Sequence, residues 1–198
     1  MFNGVCRSRN ISLPKLQFVF LFLMCSIYSS EGLCRSSLFG EAKNQEANVQ
    51  EWKEFRSVDG LFTIQYPSTW ELFIQGTITH LIPPNKEGAI SIIAYDDENL
   101  APNFTESWLR DTFSSHKPVT KMESIQLNNW RGYRQEFALA EKGLNLRLVA
   151  VTANAKHTFV LMTATDLEAQ MLALRSVYEK IFQSLKLIQG DATAEQKN

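Results

Sequence analysis

The sequence predicts an α+β fold in which an antiparallel sheet is sandwiched by helices, and three observations carry that reading. The stretch FRSVDGLFTIQYPSTWE, Phe55 to Glu71, holds a turn, a strand of period two, a Tyr-Pro corner and a Trp in quick succession. Three long apolar runs follow one another between Trp130 and Thr165, joined by links short enough to force antiparallel neighbours. Two stretches of helical period, one before those runs and one after, supply a cover for each face of the sheet.

In chain order, Arg7, Arg9 and Lys15 precede Leu16 to Ile27, an apolar run with the length of a signal-peptide core and too short to span a bilayer comfortably. Small residues follow at Ser29, Ser30 and Gly32, and a cut after Gly32 puts Ser30 three places upstream of the bond. The expectation is a signal peptide over residues 1–32, with an uncleaved signal anchor as the alternative. A lipidated cysteine is disfavoured, because Met24 precedes Cys25 and Leu33 precedes Cys34 where a lipobox needs a small residue. Cys6 and Cys25 leave with the signal, so the mature chain keeps Cys34 alone and forms no intramolecular disulfide. Residues 33–50 are polar and aperiodic and read as a flexible leader, residues 51–188 as the folded domain, and residues 189–198 as a disordered tail.

Within the domain, Leu61, Thr63 and Gln65 alternate with Phe62, Ile64 and Tyr66, so the strand has one apolar, aromatic face. Asp59-Gly60 supplies the turn before it, Pro67 ends it, and Trp70 is expected to anchor the corner against the core. Further strands are expected at Glu71 to Ile74, Thr79 to Ile82 and Ala89 to Tyr95. A helix follows, capped by Asn103 with Glu106 three residues on, and with Trp108, Leu109 and Phe113 on one face. The long strands Trp130 to Leu139, Leu144 to Ala153 and Lys156 to Thr165 are joined at Glu141-Lys142-Gly143 and Asn154-Ala155. The last is apolar on both sides and belongs at the centre of the sheet. Thr165 to Glu168 has the T-x-x-E form of a capping box, and Leu167, Met171, Leu174, Tyr178, Ile181 and Leu185 make the apolar stripe of one long C-terminal helix.

Composition narrows the function. The 198 residues are 44% hydrophobic and 21% charged, with 20 basic and 21 acidic side chains and a formal charge of -1. No excess of cations exists to neutralise a phosphate backbone, which argues against a nucleic-acid partner. A mature chain of about 165 residues buries roughly 70% of its unfolded surface, enough for one domain without disulfides.

The form F-x-S-x-D-G-x-F-x-I-x-Y-P-x-x-W at the start, the central helix after the acidic loop, the three long strands, and a terminal helix closing on F-x-S-L-K together resemble the Mog1/PsbP-like fold, an α/β/α sandwich. The resemblance covers Phe55 to Leu187 and takes in PsbP-like and DcrB-like exported proteins. It implies a binding or assembly module docking onto a protein complex, in the periplasm, outside the cell or in a lumen, with no cofactor. Exported members are often lipoproteins, and this chain departs from them in lacking a lipobox.

Enzyme chemistry finds little support in the residues. There is no G-x-S-x-G elbow, and His80, His116 and His157 stand apart without a motif, so no catalytic residue is assigned. Asp96-Asp97-Glu98 offers hard oxygen ligands, but three consecutive carboxylates lack the alternate spacing of a calcium loop, and no metal site is expected. The sequon Asn103-Phe104-Thr105 is a glycan acceptor if the chain enters a eukaryotic secretory pathway. Trp130, Arg131, Tyr133 and Arg134, just after the Asn128-Asn129 turn, are residue types favoured at interface hot spots and form the candidate partner-binding set. The competing reading has Trp130 plugging the end of the sheet with both arginines solvated. The expected function is therefore an exported, non-enzymatic docking module, the alternative being an envelope enzyme or small-ligand carrier that uses a cleft on the sheet.

Overall fold

The computed structural model describes residues 51–98, 100, 104–141 and 143–188. Among them the chain runs β1 (Trp52–Arg56), β2 (Phe62–Pro67), β3 (Glu71–Gln75), β4 (Ile78–Ile82), β5 (Ala89–Asp96), α1 (Phe104–Thr112), β6 (Lys117–Pro118), β7 (Glu123–Leu127), β8 (Trp130–Glu141), β9 (Leu144–Ala155), β10 (Thr158–Leu167), α2 (Glu168–Ala173), α3 (Arg175–Ser184) and β11 (Lys186–Leu187). An eight-stranded sheet has the order β3-β4-β5-β10-β9-β8-β6, with β7 also on β8, and a three-stranded sheet has the order β1-β2-β11. Every pairing is antiparallel.

The doubly apolar pattern of β10 places it centrally, between β5 and β9. Its Phe159 meets Trp108 of α1 on one face, ring centroids 5.4 Å apart, while Phe113 beyond α1 stacks on Phe137 of β8 at 5.0 Å. On the other face Val160, Met162 and Ala164 share a core with Met171, Tyr178, Ile181 and Phe182 of α2 and α3. Helices thus cover both faces, giving the expected sandwich.

The opening hairpin packs on the α3 side. Gly60 takes a left-handed φ of 74° in the turn, and Phe62 N–H donates to the Ser57 hydroxyl at 3.0 Å. Trp70 is 6% exposed and meets Tyr178 edge to face at 5.6 Å, the anchoring role expected of it. Ser184 of α3 accepts from Gln65 N–H at 2.8 Å, and β11 pairs Lys186 with Thr63 and Leu187 with Phe62, so the last strand seals the second.

Three local expectations are corrected. The β9–β10 turn is Lys156-His157 and not Asn154-Ala155, because Asn154 and Ala155 stay in register with Phe159 and Thr158; His157 is therefore exposed in a turn and not the start of a buried strand. The T-x-x-E segment makes no capping box, since Thr165 is held in the ladder between Ala89 and Leu148 while Glu168 pairs with Arg147. The C-terminal helix is two helices, broken at Leu174 with φ -97° and ψ 10°. The signal, the leader, the tail, Asn103 and Lys142 lie outside the described residues. No helix among the described residues is long and apolar enough to cross a membrane.

Candidate functional site

Strand alternation sends the four candidate residues of β8 to opposite faces. Trp130 is 3% exposed and its indole N–H donates to the Leu185 carbonyl at 3.0 Å. The preceding turn joins in: Asn128, at φ 50°, donates its amide to Gln183 and Leu185 carbonyls at 3.3 and 3.1 Å, and Asn129 donates to Leu187 at 2.7 Å. The Gln183 and Leu185 carbonyls are ones that α3 leaves without intrahelical donors as it ends, Leu187 lies in β11 just beyond, and the Asn-Asn-Trp turn satisfies all three from across the molecule. Trp130 is therefore a structural plug.

Arg134, on the same face as Trp130, forks onto Glu179 of α3 at 2.6 and 2.5 Å and reaches Glu136 at 3.1 Å. Burial works against its charge, but the two carboxylates outweigh burial and hold its pKa above the ordinary value. Glu136 is buried and also accepts from Arg175 at 2.6 Å. The ion pairs that knit β8 and β9 to α2 and α3 line a cavity of about 230 Å³. Arg134 is spoken for by this network.

Arg131 and Tyr133 face the α1 side. Between them Gly132 approaches β9 so closely that a Cβ would stand 1.7 Å from the Thr152 carbonyl oxygen. Tyr133 is half-buried, and a hydrogen bond with the Glu106 carboxylate of α1 raises its pKa. Arg131 is exposed and forms no ion pair among the described residues. It lines an open cleft of about 460 Å³ where the β7–β8 and β9–β10 turns meet, together with Leu100, Gln126, Asn154 and Lys156. Among the described residues no acidic side chain lines this cleft. Asn154 is 7% exposed and its Oδ1, itself buried, has no donor among the described residues, while Lys156 is exposed at a left-handed φ of 52°.

Of the four candidates, then, Trp130 and Arg131 line the cleft, and Arg131 does so with no ion pair among the described residues. Asn154 and Lys156 were missed as site residues because the sequence reading put Asn154 in the β9–β10 link and Lys156 at the start of the following strand. One signal was available: a Lys occupies the first position of a two-residue turn, where Asn or Gly is favoured.

The histidines occupy separate elements. His80 of β4 is buried, with Nδ1 3.0 Å from the Ser91 hydroxyl, Phe73 stacked on its ring and Nε2 unpartnered; burial lowers its pKa. His116 lies against Phe113 and Phe137, and burial lowers its pKa despite a backbone bond with Phe113. Among the described residues no three His, Cys, Asp or Glu side chains are placed to hold a metal ion. In the acidic loop, Asp97 N–H donates to the His157 carbonyl at 2.9 Å.

No family model matches the sequence, and no curated protein shows significant similarity to it. Solved structures do superpose. The cyanobacterial PsbP, CyanoP, from Synechocystis sp. matches with a TM-score of 0.55 at 10% identity, over 79% of this chain and 98% of that one. LpqN, described as involved in cell envelope biogenesis of Mycobacterium tuberculosis, matches at 0.56 and 9% identity over 72% and 93%. A crystal structure from Bacteroides thetaiotaomicron matches at 0.57 and 16% identity, over 70% of this chain and 49% of that one, so this chain spans about half its length. The molecule is an α+β sandwich of the PsbP-like type with an open, basic cleft at one end of its sheet. At these identities the likeness is one of fold.

Proposed function

We propose that this chain is an exported, non-enzymatic docking module that binds a protein complex of the cell envelope or of a lumen through the basic cleft. The observation that carries the reading is the cleft's composition: Arg131 and Lys156 line it with no ion pair among the described residues, and among those residues its lining holds no Ser, Cys, His, Asp or Glu. Such a surface can attract and orient a partner bearing negative charge. Two further points support export: the charged, then apolar, then small-residue pattern over residues 1–32, and the fold shared with LpqN, whose description places it in envelope biogenesis.

The test is affinity capture by the full chain from its own cell extract, beside the double variant Arg131→Glu/Lys156→Glu. The wild type should retain a defined set of proteins that the variant loses, with no change in melting temperature, since neither side chain has an ion-pair partner among the described residues. Identical capture by both proteins refutes the reading. A small-ligand carrier is the second reading, favoured by the cleft's volume of about 460 Å³, which falls in the range of roughly 300–1,000 Å³ usual for ligand sites. Native mass spectrometry of the purified chain detects such a passenger as a fixed added mass.

A further inference from the structure

The edges of the two sheets differ in how they meet solvent. An edge strand offers unpaired N–H and C=O groups to any second strand, and folded proteins blunt it with charges, proline or brevity. β1 carries Lys53, Glu54 and Arg56; β6 and β11 are two residues long, with Pro118 in the one and Lys186 in the other; and β7 exposes Glu123, Ser124 and Gln126. β3 is guarded only by Glu71 at one end. Among the described residues it pairs with β4 alone, it holds no Lys, Arg or Pro, and its Phe73 and Ile74 are 49% and 40% exposed.

The ladder register fixes what this edge presents. Gly76 and Thr77 form a two-residue loop, with Gly76 at φ 60°, so the pair that closes it, Gln75 with Ile78, is hydrogen-bonded. Bonded and non-bonded pairs then alternate: Phe73 and Glu71 turn their backbone groups toward His80 and Ile82 of β4, while Leu72 and Ile74 turn theirs outward. The side chains Glu-Leu-Phe-Ile-Gln read alike in both directions, polar at each end and apolar between. A two-fold axis demands that pattern, because an isologous contact sets one patch against itself. We propose that β3 pairs antiparallel with β3 of a second copy of this chain, with Phe73 facing its counterpart on the axis, Leu72 facing Ile74 and Glu71 facing Gln75. Leu72 and Ile74 then exchange both N–H···O bonds across the contact. The Phe73 pair is of the non-bonded kind, Cα atoms about 4.5 Å apart, which brings the two rings together on the face where Phe73 already stacks on His80. At each end the Gln75 amide donates to the Glu71 carboxylate, so no like charges are opposed. Moving the axis by one residue either way sets Phe73 against Gln75 or Glu71 and loses this match. An extended segment of another protein meets the same backbone groups, but a second copy carries the matching order of side chains by symmetry. The pairing rests on β3 and is independent of the cleft.

A contact of five residues a side falls below the roughly 1,200 Å² at the low end of standard interfaces, so the dimer is a weak one, with a Kd on the order of 10 μM to 1 mM. The experiment is sedimentation equilibrium of the protein, as recovered from its own cells, across that range. The average mass should rise from one chain to two and stop there, because a two-fold contact closes. Ile74→Pro removes an outward N–H and spares the bonds to β4, and Phe73→Lys sets like charges against each other on the axis; each should weaken association by about tenfold or more. Arg131→Glu/Lys156→Glu should dimerise as the wild type does. In a mixture of isotope-labelled and unlabelled chains, a filtered NOE should join the Phe73 Hα of one copy to that of the other. Melting temperatures taken at about 1 μM, where every form is monomeric, should agree; if Ile74→Pro melts lower, Phe73→Lys decides alone. A wild type that stays monomeric across the range, a dimer that survives Phe73→Lys, loss of the dimer in the cleft variant, an intermolecular contact centred on another residue, or growth beyond two chains each overturn the proposal.

Discussion

Asp166 sits fully buried on β10, 0% exposed, with Tyr178 O–H donating to Oδ2 and its neighbour Leu167 N–H donating to Oδ1, both at 2.7 Å. Gly88 abuts it so closely that a Cβ there would lie 2.6 Å from the carboxyl carbon. Burial raises the Asp166 pKa, outweighing those two bonds, and Glu87 pushes the same way; the Tyr178 hydroxyl is held well above its usual range in turn. A carboxyl whose folded pKa lies above its unfolded value of about 3.9 stabilises the fold most fully below that value, and the contribution is lost as pH rises through the folded pKa. His80 works with the opposite sign: its lowered pKa means the unfolded chain takes up a proton first as pH falls below about 6.5, and stability falls with it. The two are separated by Asp166→Asn, whose amide can accept from Leu167 N–H and donate to the Tyr178 oxygen. In thermal melts from about pH 4 upward the variant should gain on the wild type as pH rises, while the acid-side loss due to His80 persists in both. At the same core, Trp70→Ala should cost about 3–5 kcal/mol, read by chemical denaturation, because the ring is buried against Tyr178.

At the level of elements, the turn between β7 and β8 does more than reverse the chain. Its Asn128, Asn129 and Trp130 hold the exit of α3, and Trp130→Phe keeps an aromatic plug while deleting the bond to Leu185. We expect that variant to lose about 0.5–1.5 kcal/mol in denaturant melts, since the Leu185 carbonyl loses its indole donor but keeps the Asn128 amide. Periodicity located β5 and the three long strands β8 to β10, because burial on one or both faces writes itself into the order of side chains. It misplaced the β9–β10 turn by two residues, because Asn154 and Ala155 look like turn residues while their backbones remain in the ladder. It passed over β6, β7 and β11, two of them two residues long and one largely polar, whose existence depends on the strand beside them. Of the candidate site, the segment was legible and the roles were not: Glu179 lies 45 positions from Arg134 and Leu185 lies 55 from Trp130, distances at which no local pattern reports a partner.

For the whole molecule, the sandwich was readable because each element's apolar face had one place to go: α1 onto Phe159 and Phe137, α2 and α3 onto the opposite face. Export belongs to this scale too. N-terminal sequencing of the mature protein should begin within a few residues of Leu33; recovery of an intact Met1 to Ile27 segment in the membrane fraction would instead make it an anchor.

The seal between β11 and β2 bears on how the polypeptide is made. Thr63 and Phe62 meet Lys186 and Leu187, so β2 lacks its outer neighbour until Leu187 has been synthesised. Ribosomes add about 5–20 residues each second, which puts roughly 6 to 25 s between the synthesis of Phe62 and that of Leu187. Throughout that interval the nascent chain is short of its closing strand. A secretion channel that threads unfolded polypeptide has the same interval in which to engage it.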